Sequence, residues 1–123
     1  TTMKKILLIE DDLYIRDVTA TRLMEHSFEV LTAANGEDAL TLMDETTPDL
    51  VLCDLDLPDM NGLDILAHMM SSEKLSRVPV IVFTNNDAPE LIEKALKGGA
   101  KDFFTKASTD FDQMLEVIAR NLP

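Results

Sequence analysis

Five short apolar runs punctuate the chain, and helical patterns separate them. Lys5-Ile6-Leu7-Leu8-Ile9 is the first, and it stops at Glu10-Asp11-Asp12. Phe28 to Ala33, with β-branched Val30 and Thr32, is the second; Asp49 to Cys53 is the third. Pro79 to Phe83 is the fourth, ending at Thr84-Asn85-Asn86-Asp87, and Asp102 to Thr105 is the fifth. The first and third read as buried strands of a parallel sheet, and the others as strands. Between them, apolar residues recur at helical spacing. The sets are Ile15, Val18 and Leu23, then Ala39, Leu40 and Met43, then Leu63, Leu66, Met69 and Met70. Leu91, Ile92, Ala95 and Leu96 follow, and after the last strand come Phe111, Met114, Leu115, Ile118 and Leu122. Asn35-Gly36 reads as a turn, Pro89 as the first turn of a helix and Gly98-Gly99 as a helix stop. Thr109 or Asp110 is the expected N-cap of the last helix. Strand and helix alternate five times with short connections. That predicts a single α/β domain over residues 3–122, with a parallel sheet covered on both faces.

Composition narrows the function classes. The 123 residues are enough for one core, and 46% of them are apolar. No apolar run is long enough for a membrane span, and no secretory signal pattern is present. Met3 reads as the natural start, after Thr1 and Thr2. The lone Cys53 fits a reducing, cytoplasmic setting and reads as a small core residue. The seven Met residues fall mostly on helical stripes or in loops and read as core filler. Lys and Arg number 11 against 23 Asp and Glu, a net charge of -12. Such a chain lacks the cationic surface that non-specific nucleic-acid binding needs. It suits cations or basic partners instead.

The unusual polar residues fall at the strand ends. The first strand ends in Glu10-Asp11-Asp12, the third in Asp54, the fourth in Thr84 and the fifth in Lys106. In open α/β sheets the site lies beyond the carboxyl ends of the strands. If these strands are neighbours, the groups converge. Carboxylates brought together are hard to ionise without a cation. An all-oxygen set suits Mg²⁺. A Lys and a hydroxyl beside it suit a phosphoryl group, and a carboxylate can itself be phosphorylated.

With these residues in place, the chain resembles the receiver domain of two-component response regulators, from Lys4 to Leu122. The likeness is carried by Ile6-Leu7-Leu8-Ile9-Glu10-Asp11-Asp12, by Asp54-Leu55-Asp56-Leu57-Pro58-Asp59-Met60-Asn61-Gly62, by Pro79-Val80-Ile81-Val82-Phe83-Thr84 and by Gly99-Ala100-Lys101-Asp102-Phe103-Phe104-Thr105-Lys106. The resemblance implies a doubly wound, five-stranded parallel sheet of order 2-1-3-4-5 with five helices, the flavodoxin-like and CheY-like type. It implies that Asp54 is the phosphoacceptor and that Lys106 contacts the phosphoryl group. Glu10 and Asp11 match the acidic pair that holds Mg²⁺ (Mn²⁺ being an alternative), together with Asp54 and the backbone carbonyl of Asp56. Asp11 and Asp12 are the other possible pair; Arg16, in the family's usual place after the first acid, selects the former and leaves Asp12 as a helix N-cap. Thr84 matches the switch hydroxyl, Phe103 the switch aromatic, and Asn85 the residue whose backbone N–H faces the phosphoryl group.

Two departures from the family pattern carry expectations. Asn85 stands where a small residue is usual, which bears on access and on the rate of phosphate loss. Ala107 stands where a Pro after a cis bond is usual. A cis bond before Ala costs about 3 kcal/mol, so a trans or strained bond and a shifted Lys106 loop are expected. The resemblance implies a switch rather than an enzyme. A sensor histidine kinase or phosphotransfer protein supplies the phosphoryl group. The surface of the fourth helix, fifth strand and fifth helix then acts on an output domain or partner, and homodimerisation on phosphorylation is a further possibility. Pro123 is compatible with a complete chain and with a piece of a longer regulator. Three rivals stand beside this reading. A degenerate receiver would bind partners without phosphorylation. A haloacid-dehalogenase-like phosphatase shares the Asp-x-Asp spacing of Asp54 and Asp56, but opens with it on the first strand. A flavodoxin-type module would place a Gly-, Ser- and Thr-rich loop where Glu10-Asp11-Asp12 stands. His26 and His68 are expected at a surface or helix end.

Overall fold

The computed structural model describes residues 2–85, 88–107 and 110–123. Its strands are β1 (Lys5–Ile9), β2 (Glu29–Ala33), β3 (Leu50–Cys53), β4 (Val80–Thr84) and β5 (Asp102–Thr105). They form one parallel sheet in the order β2-β1-β3-β4-β5. The helices are α1 (Leu13–Glu25), α2 (Gly36–Thr46), α3 (Gly62–Met70), α4 (Pro89–Lys97) and α5 (Phe111–Asn121), with a 3-10 turn at Leu75–Arg77. Alternating strand residues serve opposite faces of the sheet. Leu7, Ile9, Val51 and Val82 pack with α2, α3 and α4. Ile6, Leu8, Leu52, Ile81 and Phe83 pack with α1 and α5. β1 after Lys5, β3, and β4 before Thr84 are wholly apolar because both faces are covered. None of the described helices is long and apolar enough to cross a membrane.

Helix ends follow the local chemistry. Asp12 caps α1 by accepting from the Ile15 N–H at 2.9 Å. Asp110 caps α5 in a reciprocal box with Gln113; Thr109, the other expected cap, lies outside the described residues. Asn35-Gly36 is not a free turn. Asn35 is the N-cap of α2, and Gly36 is already helical. The α1 stripe also needs correcting. Thr19, Ala20 and Leu23 are its buried residues, and Val18 is 39% exposed. Positions 15, 19 and 23 repeat every four residues and share one face, so Val18 sits on the flank. Leu96 and Met70 are likewise at the margins of their helices, whereas Ile65 and Val117 are buried. Met43, Met69 and Met114 are core residues, but Met3 and Met24 are exposed. His26 ends α1, and half-exposed His68 lies 3.5 Å from Asp44.

Candidate functional site

Register brings the first two acids together. Ile9 pairs with Cys53, so the chain leaves the sheet at Glu10 and at Asp54 side by side. The Asp54 N–H donates to the Ile9 carbonyl at 3.0 Å, and the Glu10 N–H donates to the Ala33 carbonyl at 3.0 Å. Both carboxylates are buried, Glu10 completely. Asp11 is exposed beside them, and carboxylate oxygens of Glu10, Asp11 and Asp54 lie within 4.8 Å of one another. Arg16 fixes the turn that makes this possible. Its guanidinium donates to the Glu10 carbonyl at 2.9 Å and to the Asp11 carbonyl at 3.4 Å. The Asp12 carboxylate is committed to the start of α1. The site lies at the point where connections leave β1 and β3 for opposite faces, the expected crevice of this architecture.

Lys106 partly neutralises the cluster. Its ammonium donates to Asp54 Oδ2 at 2.7 Å and forms an ion pair with Glu10 Oε1. Its backbone N–H donates to the Thr84 carbonyl at 3.0 Å, which ties the residue after β5 to the end of β4. There is no cis peptide bond among the described residues. With Ala107 in place of the usual Pro, Lys106 therefore reaches both acids over a trans backbone. Burial pushes the Glu10 carboxyl above its ordinary value, against the pull of Lys106 and the Asp12 N–H. Burial works to lower the Lys106 pKa, but the bonds and charges of Asp54 and Glu10 outweigh it and raise the pKa overall. Burial, with the Asp54 charge, pushes the Cys53 thiol up to about 12. Cys53 is then an inert core thiol whose Sγ donates to the Asp54 carbonyl at 3.2 Å.

The loop from β3 to α3 closes the site. The Asp56 N–H donates to Asp54 Oδ1 at 3.1 Å, and Asp56 pairs with Asn61 in a single antiparallel bridge. Asn61 caps α3 through the Leu63 N–H at 2.9 Å. A Cβ at Gly62 would stand 2.6 Å from the Asp54 carbonyl oxygen and 2.7 Å from Leu55 Cα. The glycine therefore lets α3 begin directly against the acidic site. Asp59, which the sequence does not single out, accepts from the Gly36 and Glu37 N–H groups at 2.7 and 2.9 Å. Those two bonds hold its carboxyl below the usual carboxylate range.

The remaining candidates divide between two places. Glu10, Asp11, Asp12, Ile15, Asp54, Asp56, Asn85 and Lys106 line one open cavity of about 330 Å³. Thr84 is fully buried at the end of β4 and does not line it. Phe103 is 39% exposed and belongs to a separate apolar groove with Pro89, Ile92, Leu96 and the stems of Glu93 and Lys97.

The donor set fits a hard divalent cation. Three carboxylates converge against one ammonium, leaving negative charge in excess. Among the described residues, no hydrogen-bond donor is aligned on buried Glu10 Oε1, although the Lys106 charge lies against it. Oxygen ligands at a half-open cavity suit Mg²⁺ or Mn²⁺.

Known proteins place this architecture. Residues 6–119 match the family model described as response regulator receiver domain. The two-component response regulator ORR12 of rice is 35% identical over 82% of this chain and 84% of its own length. The Regulator of RpoS of Escherichia coli is 36% identical over 94% of this chain, which spans only 34% of that protein. Among solved structures, the chemotaxis response regulator CheY4 of Vibrio cholerae superposes with a TM-score of 0.91. It is 26% identical and covers 98% of this chain and 100% of its own.

Proposed function

The chain belongs to the response regulator receiver domain family of two-component systems, and on that premise we propose that it is a phosphorylation-controlled switch with Asp54 as phosphoacceptor. The observation that carries the proposal is the buried Asp54 carboxylate, held between the Lys106 ammonium and the Asp56 N–H and flanked by Glu10 and Asp11. Such a carboxylate is oriented, partly neutralised and open to a cavity. These are the conditions phosphoryl transfer needs, since it rests on positioning and charge neutralisation.

In the step proposed, an Asp54 oxygen attacks phosphorus and an acyl phosphate forms. The donor's bond to phosphorus breaks; an imidazole leaves as histidine after taking a proton, and acetyl phosphate leaves acetate. Glu10, Asp11, Asp54 and the Asp56 carbonyl are the groups that would hold Mg²⁺ or Mn²⁺, which supplies charge neutralisation during transfer. Lys106 exchanges its bond to Asp54 for a phosphoryl oxygen. The Asn85 N–H faces the same group. Thr84 turns its hydroxyl toward the new charge, and Phe103 moves inward from its groove. The α4, β5 and α5 surface thereby changes for a partner or output domain. The phosphodonor is a histidine kinase or phosphotransfer protein, and the setting is cytoplasmic. Dimerisation of the phosphorylated form belongs to the same proposal. So does treating residues 3–122 as one receiver unit, a distinct matter where the whole relative is longer.

The switch has a direct test. Thr84→Ala is expected to accept the phosphoryl group and fail to change at Phe103. Wild-type protein should show large NMR shifts for the Phe103 ring on phosphorylation, and the variant should show them only around Asp54. Full Phe103 shifts in the phosphorylated variant would remove Thr84 from the route. The degenerate-module reading predicts no phosphoryl adduct in either protein.

A further inference from the structure

The loop between β3 and α3 is held from both sides. At its inner end the Asp56 N–H is bonded to Asp54 Oδ1. At its outer end Asp59 reaches α2, more than twenty positions earlier in the chain. Each oxygen of Asp59 accepts one backbone N–H there, Gly36 at 2.7 Å and Glu37 at 2.9 Å. A helix has no internal partner for these first N–H groups, and its N-terminal partial charge favours a carboxylate. Met60 packs so closely on Gly36 that a Cβ at position 36 would collide with its side chain. The joint is therefore a carboxylate clamp beside a tight apolar contact.

Helix α2 does not need this clamp to begin. Asn35 already caps it, accepting from the Asp38 N–H at 2.8 Å. The beneficiary is the loop. Asp56 and Asn61 are bridged, so Leu57 to Met60 form a short closed turn, and whatever fixes Asp59 also fixes Asp56. We propose that Asp59 is a positioning residue for the cation site: by clamping the turn to α2 it holds Asp56 where its backbone carbonyl meets the cation. This rests on the assignment of Glu10, Asp11, Asp54 and Asp56 as the cation's ligands. It makes α2 a second support of that site, through Asp59.

The test is a Mg²⁺ titration of the unphosphorylated protein, followed by the amide NMR shifts of Asp54 and Asp56, with melting temperatures recorded alongside. Loss of an outer-shell support costs about tenfold in metal affinity, and Asp59→Ala is expected to show that loss. Gly36→Ala, which pushes Met60 and the turn from the other side, should weaken binding in the same direction. Asp59→Asn keeps one oxygen acceptor and should fall between wild type and Asp59→Ala; it also carries the test if the alanine variant does not fold. Asp64→Asn removes an exposed carboxylate from the first turn of α3 without touching the clamp, and should keep the wild-type Kd. Wild-type affinity in Asp59→Ala and Asp59→Asn, with only the melting temperature lowered, would overturn the inference. Equal weakening by Asp64→Asn would reduce it to bulk charge and overturn it too. No saturable shift in the wild type would overturn the ligand assignment itself, a different result from unchanged variants.

Discussion

Glu10→Gln is expected to stabilise the cation-free protein and to weaken its Mg²⁺ binding at the same time. Glu10 is completely buried, beside Asp54 and with a single ammonium between them. Three ionised groups leave one uncompensated negative charge, which the interior resists. The amide removes that charge and leaves Lys106 paired with Asp54. A gain of about 1 kcal/mol is expected, the usual return on relieving a functional site. The pH dependence follows from the raised Glu10 pKa. The folded state holds the proton more tightly than the unfolded state, so wild-type stability falls as pH rises from the ordinary value of 4.5 through the folded one. The variant lacks that loss. Its advantage is absent below pH 4.5 and grows above it. Removing a carboxylate ligand should weaken Mg²⁺ binding by at least about tenfold. Melts in EDTA and in saturating Mg²⁺, across pH, check both halves. A variant less stable than wild type in EDTA at neutral pH would show that Glu10 is a net support of the fold.

Lys106→Ala should act in the opposite sense. It leaves Glu10 and Asp54 facing each other with no cation. The Lys106 side chain is only 10% exposed, so solvent screens the loss poorly. Breaking such a buried set costs about 3 kcal/mol, roughly 10 °C in a domain of this size. The Lys106 pKa is raised in the fold. Its contribution is therefore full below the ordinary 10.5 and is lost only as pH rises through the folded value. Mg²⁺ should bind the variant more tightly, because no ammonium competes for the acids, and should restore much of the stability by linkage. The same loss in EDTA and in Mg²⁺ would contradict the picture of Lys106 as the cluster's own counter-charge.

The parts that were legible in the sequence are those where one physical demand dominates. β1, β3 and β4 are buried on both faces, so apolar runs mark them. The acids follow because a polar residue after such a run must leave the sheet. Helix α1 was harder. Leu13 and Tyr14 are 63% and 76% exposed, and a window of sequence cannot tell an apolar residue on the outer face from one in the core. The trans bond before Ala107 was legible from the missing Pro. The bond from the Lys106 N–H to the Thr84 carbonyl is a cross-strand contact that a linear reading does not contain. Asp59 was missed for the same reason. Its partners are backbone N–H groups at the start of another helix, and backbone donors leave no mark on residue identity. Gly36 was the nearest clue, since a glycine opening a helix behind an Asn cap implies something packed closely over it.

The central claim is that Asp54 accepts a phosphoryl group with a divalent cation in the acidic cavity. The most direct measurement is the intact mass of the protein after incubation with acetyl phosphate, in Mg²⁺ and in EDTA, beside Asp54→Ala. The account predicts one added phosphoryl group in the wild type with Mg²⁺, and none in EDTA or in the variant. An adduct of equal yield in Asp54→Ala, or none in wild-type protein shown to bind Mg²⁺ and to lose phosphate slowly enough for detection, would contradict it.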